Sequence, residues 1–101
     1  MKNNMYSVYD QKAGYYMAPF VTQNHDTAKR MIVNAIIDPN SSLSLCPEDY
    51  SLFMIGTFDD EHGIVSNENE LVCNVVEMVQ VAREKQKVFK QIDLFEENKD
   101  G

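Results

Sequence analysis

The densest run of reactive side chains is Asp59-Asp60-Glu61-His62, closed by Gly63. Clustered carboxylates suit a hard cation, which takes several oxygen ligands from a shaped loop. The ligands of a calcium loop alternate along the chain, and these four do not. Asp and Gly are also the ordinary residues of a tight turn, so the run reads as the tip of a hairpin. Cys46, Cys73, His25 and His62 supply the ligand types of a zinc site. None of them shows the close pairing of like ligands that marks zinc ligation. Two cysteines make no disulfide framework, and both read as small apolar packing residues. No nucleophile–base pair and no phosphate-binding glycine loop stands out. The expectation is a protein that is not an enzyme, with no catalytic residue, no metal and no cofactor.

Binding chemistry is better represented. Arg83, Lys87 and Lys90 fall on one side of a helical pattern, with Lys85 nearby, and these side chains would hold phosphates. Three such contacts give a salt slope of about −2 to −3. Tyr9 and Tyr15 belong to a predicted hairpin that also carries Tyr6, Tyr16 and Phe20. Exposed aromatics on a sheet can stack single-stranded bases. Both patterns have an ordinary structural alternative: the wet side of an amphipathic helix near Glu84 and Asp93, and cross-strand packing.

Charge distribution offers a second, protein-directed reading. Residues 59–77 carry Asp59, Asp60, Glu61, Glu68, Glu70 and Glu77 and no base, whereas the segments on either side are nearly balanced. That acidic block, Asp59, Asp60 and Glu61 included, would dock on a basic protein or mimic the charge of DNA. The formal charge of −7 repels nucleic acid at long range. Direct DNA contact therefore needs a local basic face.

These groups must be positioned by regular structure. Met5 to Tyr9 alternates as a strand, and Gln11 to Gly14 turns the chain, with Gly14 free to adopt positive φ. Tyr15 to Thr22 returns; Pro19 cannot donate a ladder hydrogen bond and puts this strand at an edge or in a bulge. Asn24 offers an N-cap and Asp26 favours the helix dipole. Ala28, Met31, Ile32, Ala35 and Ile36 then form one apolar stripe, with Lys29, Arg30 and Asn34 off it. Pro39 stops this helix.

Asn40 to Leu45 reads as a polar connection with a short extended piece at Leu43 and Leu45, and Pro47-Glu48-Asp49 as a turn. Ser51 to Phe58 is the strongest strand, central and covered on at least one face. Ile64-Val65 begin the return strand of a second hairpin. The polar run Ser66 to Asn69 is a candidate for disorder, and Leu71 to Val76 fits either a strand or the start of a helix. From Met78 onward Met78, Val81, Ala82, Val88, Phe89, Ile92 and Phe95 share one helical arc, with Arg83, Lys87 and Lys90 opposite. Lys85 falls in the apolar arc, where its stem can snorkel. With the first helix already on the sheet, Val81, Val88, Ile92 and Phe95 are candidates for protein contact, at a sheet edge or in a homodimer.

The fold class is α+β: a small antiparallel sheet from two hairpins packed against one helix, plus a C-terminal amphipathic helix. The 101 residues make one domain, with residues 1–77 as the α+β body and 78–101 as its C-terminal helix and tail. No apolar run approaches the ~20 residues of a membrane span, and MKNNMYSVYD lacks the apolar centre of a secretory signal. The expected location is a reducing cytoplasm.

Seven blocks in collinear order carry a resemblance: Tyr6–Asp10, Ala13-Gly14, Pro19–Val21, Asp26–Arg30, Asp38–Ser41, Pro47–Tyr50 and Ile55–Ile64. Together the succession resembles the small non-structural protein of gokushovirus-type microviruses, which are single-stranded DNA bacteriophages. The resemblance implies action in the host cytoplasm, outside the virion, in viral DNA replication or in the switch to DNA packaging. It implies contact with single-stranded DNA, with a phage replication protein or with the procapsid. It brings no catalytic residues to these positions, and it ends near Leu71, before the basic stripe.

Overall fold

The computed structural model describes residues 1–88. Its sheet is antiparallel throughout. The strands are β1 (Lys2–Asp10), β2 (Tyr15–Tyr16), β3 (Phe20–Thr22), β4 (Tyr50–Asp59) and β5 (Ile64–Asn74). The helices are α1 (His25–Ile37), α2 (Ser42–Leu45) and α3 (residues 79–88), with single 3₁₀ turns at Pro47–Asp49 and Val75–Met78. β1 and β4 lie in the middle; β2 and β3 share the outer side of β1, and β5 forms the far edge.

One device closes both hairpins. Asp10 Oδ1 accepts from the amides of Lys12 and Ala13, and Gly14 N donates back to Asp10 O at 2.8 Å. Asp59 Oδ1 accepts likewise from Glu61 and His62, and Gly63 N donates to Asp59 O at 2.8 Å. Gly14 and Gly63 have φ of 78° and 67°, the left-handed conformation that glycine adopts without cost. Pro19 acts as expected: it splits the returning strand into β2 and β3, both on the edge.

Asn24 caps α1, its side chain accepting from Thr27 N at 2.9 Å. The buried stripe of α1 is Ala28, Ile32, Val33 and Ile36. It packs on Tyr6 and Val8 of β1, Leu52 of β4 and Cys73 of β5. Burying a side chain such as Ile32 is worth roughly 1.5–3 kcal/mol. Ala82 of α3, 2% exposed, and Val75 close the same core, so all the helices lie on one side of the sheet.

Two segments differ from expectation, and a third settles an open alternative. Around Leu43 the chain is not extended but forms α2, because Ser41 accepts from Leu43 N at 3.2 Å and Leu43 turns into the core. The polar run Ser66 to Asn69 is strand: its backbone is fixed by β4 through Thr57↔Ser66 and Gly56↔Asn67, whatever its side chains. Leu71 to Val76 divides, with strand to Asn74 and a 3₁₀ turn from Val75.

Candidate functional site

The register separates the sheet into two unlike faces. Cross-strand partners share a face, so Tyr6↔Met54, Val8↔Leu52 and Leu52↔Cys73 place these side chains under the helices. Ser7↔Phe53, Tyr9↔Tyr16 and Phe53↔Leu71 define the other face, which no element among the described residues covers. Tyr9, Tyr16 and Phe53 cluster there, with ring centroids 4.8 Å apart for Tyr9–Tyr16 and 5.7 Å for Tyr16–Phe53. Met5, Val21, Phe58 and Val65 extend the patch by the same alternation. Lys2, Asp10, Asp59 and Glu70 all fall on the helix side, so the paired positions of the open face are apolar, aromatic or bear hydroxyl and amide groups, without a formal charge.

Cations gather on the opposite side of the molecule. A cleft of about 420 Å³ between α1 and α3 is floored by Val33, Met78 and Val81 and rimmed by Lys29, Arg30, Lys85 and Asp26. Lys85 Nζ donates to Asn34 Oδ1 at 2.8 Å, which ties α3 to α1. Arg83 lies on the other flank of α3, beside Ile36, Ile37 and Pro39, and Lys87 is exposed near it. Among the described residues none of Lys29, Arg30, Arg83, Lys85 and Lys87 forms an ion pair. Among the described residues Lys29, Arg30, Arg83 and Lys87 thus meet no carboxylate, and Lys85 is held by Asn34.

All of the acidic block but Glu77, which lies in the 3₁₀ turn, belongs to the β4–β5 hairpin, where every residue from Asp60 to Leu71 is exposed. Asp59 is committed to the turn. His62 Nδ1 lies 2.9 Å from its Oδ2, and that bond, with the Glu61 amide, holds its carboxyl below the usual carboxylate range. Asp60 and Glu61 face the amino group of Met1, at 2.6 and 3.5 Å, which raises the pKa of that amine.

Under the helices a polar chain links the hairpin to α1. Asn4 Nδ2 donates to Tyr6 Oη at 3.0 Å, Tyr6 Oη and His25 Nδ1 share a 2.6 Å hydrogen bond, and His25 Nε2 lies 3.6 Å from Glu70 Oε1. Tyr6 is fully buried, and burial pushes its hydroxyl pKa up. It is a structural phenol with no access for a substrate.

A model of the family described as phage ORF5 protein matches residues 3–78. That is more than half of the chain. The chain belongs to the phage ORF5 protein family. No curated protein and no solved structure matches it. The part matched by the ORF5 model includes the whole paired sheet from Asn3 onward, α1 and the 3₁₀ turn that leads to α3. Lys29 and Arg30 therefore lie inside the ORF5 match, and Arg83, Lys85 and Lys87 outside it.

The residues expected to bind nucleic acid are not brought together. Tyr9 is on the open face, while Arg83, Lys85 and Lys87 belong to the helical layer behind the sheet. Tyr15, 60% exposed, pairs with Asp10 and projects to the side opposite Tyr16. Of the apolar arc on α3, Val81 and Val88 stay about half exposed (48% and 54%), because Met78, Val79 and Ala82 make the core contact instead. Lys90, Ile92 and Phe95 lie outside the described residues. Cys46, Cys73, His25 and His62 form no cluster among the described residues; the one group of metal-type ligands there is Cys46, Glu48 and Asp49. The Lys12 ammonium lies 3.6 Å from Asp49 and opposes a cation at that place. Lys29 and Arg30 were legible only as residues off the apolar stripe. Their partnership with Lys85 depends on how α3 crosses α1, which no local pattern encodes.

Proposed function

We propose that this member of the phage ORF5 family is a non-structural accessory protein of a gokushovirus-type microvirus. In this reading it acts in the host cytoplasm, in replication or packaging of the single-stranded DNA genome, and catalyses nothing itself. Contact with DNA is made through the helical layer. The observation that carries this reading is the placing of Lys29, Arg30 and Lys85 around one cleft and of Arg83 and Lys87 on the other flank of α3, none in an ion pair among the described residues, in a chain whose net charge is −7. Backbone phosphates are the ligand such a surface fits, since cations without base-reading groups position a strand without reading its sequence. Among the described residues no paired position of the aromatic face bears a cation, and stacking of a single strand needs both.

The test is a fluorescence titration of a labelled single-stranded oligonucleotide at 50 and 200 mM salt. Five phosphate contacts give a slope of log K against log salt of about −3.5, an affinity loss of roughly 100-fold over that range. Replacing Lys29, Arg30, Arg83 and Lys87 together by Ala should abolish most of the slope. Absence of binding at low salt would overturn the reading.

A second reading has its own support. The β4–β5 hairpin presents Asp60, Glu61, Glu68 and Glu70 on an exposed ribbon, a shape and charge suited to a basic replication or procapsid protein. Asp60→Lys with Glu61→Lys would then abolish capture of that partner and leave DNA binding intact or strengthened.

A further inference from the structure

The sheet has a finished side and an unfinished one. Domains of this size are built from two packed layers, and each sheet face must find a cover or carry polar residues. Here α1 covers one face, while the other exposes Tyr16, Val21, Val65 and Leu71 at 44–54% and bears Phe53 and Tyr9 half buried between them. A soluble monomer seldom exposes a contiguous apolar patch beyond a few hundred Å². Strand rise and spacing put this face at about 30 Å by 19 Å, or roughly 600 Å² before side-chain relief. Stable interfaces begin at about 600 Å² from each partner, so the face reaches the lower end of what a stable pair needs.

We infer that this face is closed by the same face of a second copy, giving a homodimer of two sheets packed face to face with the helices outside. The charge pattern selects the occupant. A partner recognised through charge finds nothing on this face, whereas two chains of net charge −7 meet there without opposing carboxylates. Twisted antiparallel sheets pack face to face about 10 Å apart at roughly −30°, and the edge-to-face cluster of Tyr9, Tyr16 and Phe53 supplies aromatic surface of the kind enriched in interface centres. The inference does not rest on the DNA-binding reading: it concerns the opposite side of the molecule, and the dimer leaves both cationic layers facing outward.

The experiment is sedimentation equilibrium of the full chain at 5 to 100 μM (on the order of the concentrations at which weak dimers form), in low salt and in 0.5 M salt (a Debye length of only a few Å). The expected result is a dimer whose association is as strong or stronger in high salt, because salt screens the repulsion and leaves apolar contact untouched. Leu71→Arg should give a folded monomer with an unchanged far-ultraviolet circular dichroism spectrum, since Leu71 is half exposed in the single chain. Val65→Glu, at the other end of the face, makes the same test should Leu71→Arg fail to fold. Val81→Glu on α3 should remain a dimer. A monomeric wild type across this range overturns the inference. So does a dimer that survives both sheet-face variants, or one that Val81→Glu dissolves, because the contact would then lie on α3.

Discussion

Gly56 offers a direct test of the strand register on which the division of the sheet into two faces depends. It sits opposite Asn67 in the β4–β5 ladder, directly after the register shift that follows Met54. A Cβ at this position would lie 2.6 Å from the backbone oxygen of Ser66, where comfortable contact is about 3.5 Å. The obstacle is the β5 main chain, held in place by its own pairing, so relief requires the ladder to open by nearly an ångström. Overpacking of this kind costs about 1–3 kcal/mol. Ala also restricts the unfolded chain, which offsets roughly 0.4–1 kcal/mol. Gly56 has no positive φ, so no backbone strain adds to the contact.

Gly56→Ala should thus destabilise by about 1–2 kcal/mol, lowering the melting midpoint by roughly 4–16 °C for a domain this small. Chemical denaturation, read through far-ultraviolet circular dichroism with the slope held in common, measures it. A variant as stable as the parent would show that Gly56 does not face Ser66. The register of β5, and with it the placement of Leu71 and Val65 on the open face, would then be wrong.

Tyr6→Phe should cost about 1–3 kcal/mol in the same assay, since it leaves His25 Nδ1 and Asn4 Nδ2 without their shared partner. Stability should fall on the alkaline side in two stages. Burial raises the thiol pKa of Cys73 and the hydroxyl pKa of Tyr6 in the folded state. Their contributions are therefore intact below the unfolded values, about 8.5 and 10, and are lost as pH rises beyond each; Cys73→Val should remove the first stage. At low pH the sign reverses. The carboxyl of Asp59 is held down by His62, so its contribution is present above about pH 4 and lost as pH falls through the depressed folded value; Asp59→Asn should be less sensitive over that interval. Lys85→Gln should scarcely change stability, because its bond to Asn34 is exposed. It should nonetheless reduce the salt slope of DNA binding by about 0.7.

Local rules carried much of the architecture. The cap at Asn24, the stripe from Ala28 to Ile36 and the stop at Pro39 are short-range signals, and α1 follows them. Asp10…Gly14 and Asp59…Gly63 encode their turns through a side-chain acceptor and a glycine five residues long in span. What was not legible depends on partners distant in sequence. Ser66 to Asn69 has no strand-like side chains, and is strand only because β4 needs an edge partner for its backbone. Which aromatics share a face depends on the three shifts in register, between Met5 and Tyr6 on one side of β4 and at two points on the other. A single shift missed exchanges the faces. The same dependence separated the tyrosines from the cations: each set is visible in the sequence, but only the folded sheet puts them on opposite sides.

The proposed contact of DNA with the helical layer can be mapped residue by residue. The most direct measurement is an NMR titration of the isotope-labelled protein with a short oligothymidylate at low salt. The amide shifts of Lys29, Arg30, Arg83, Lys85 and Lys87 and their neighbours should move together, and those of Tyr9, Tyr16, Phe53 and Leu71 should stay fixed. Shifts centred on the aromatic face, or none at all, would contradict it.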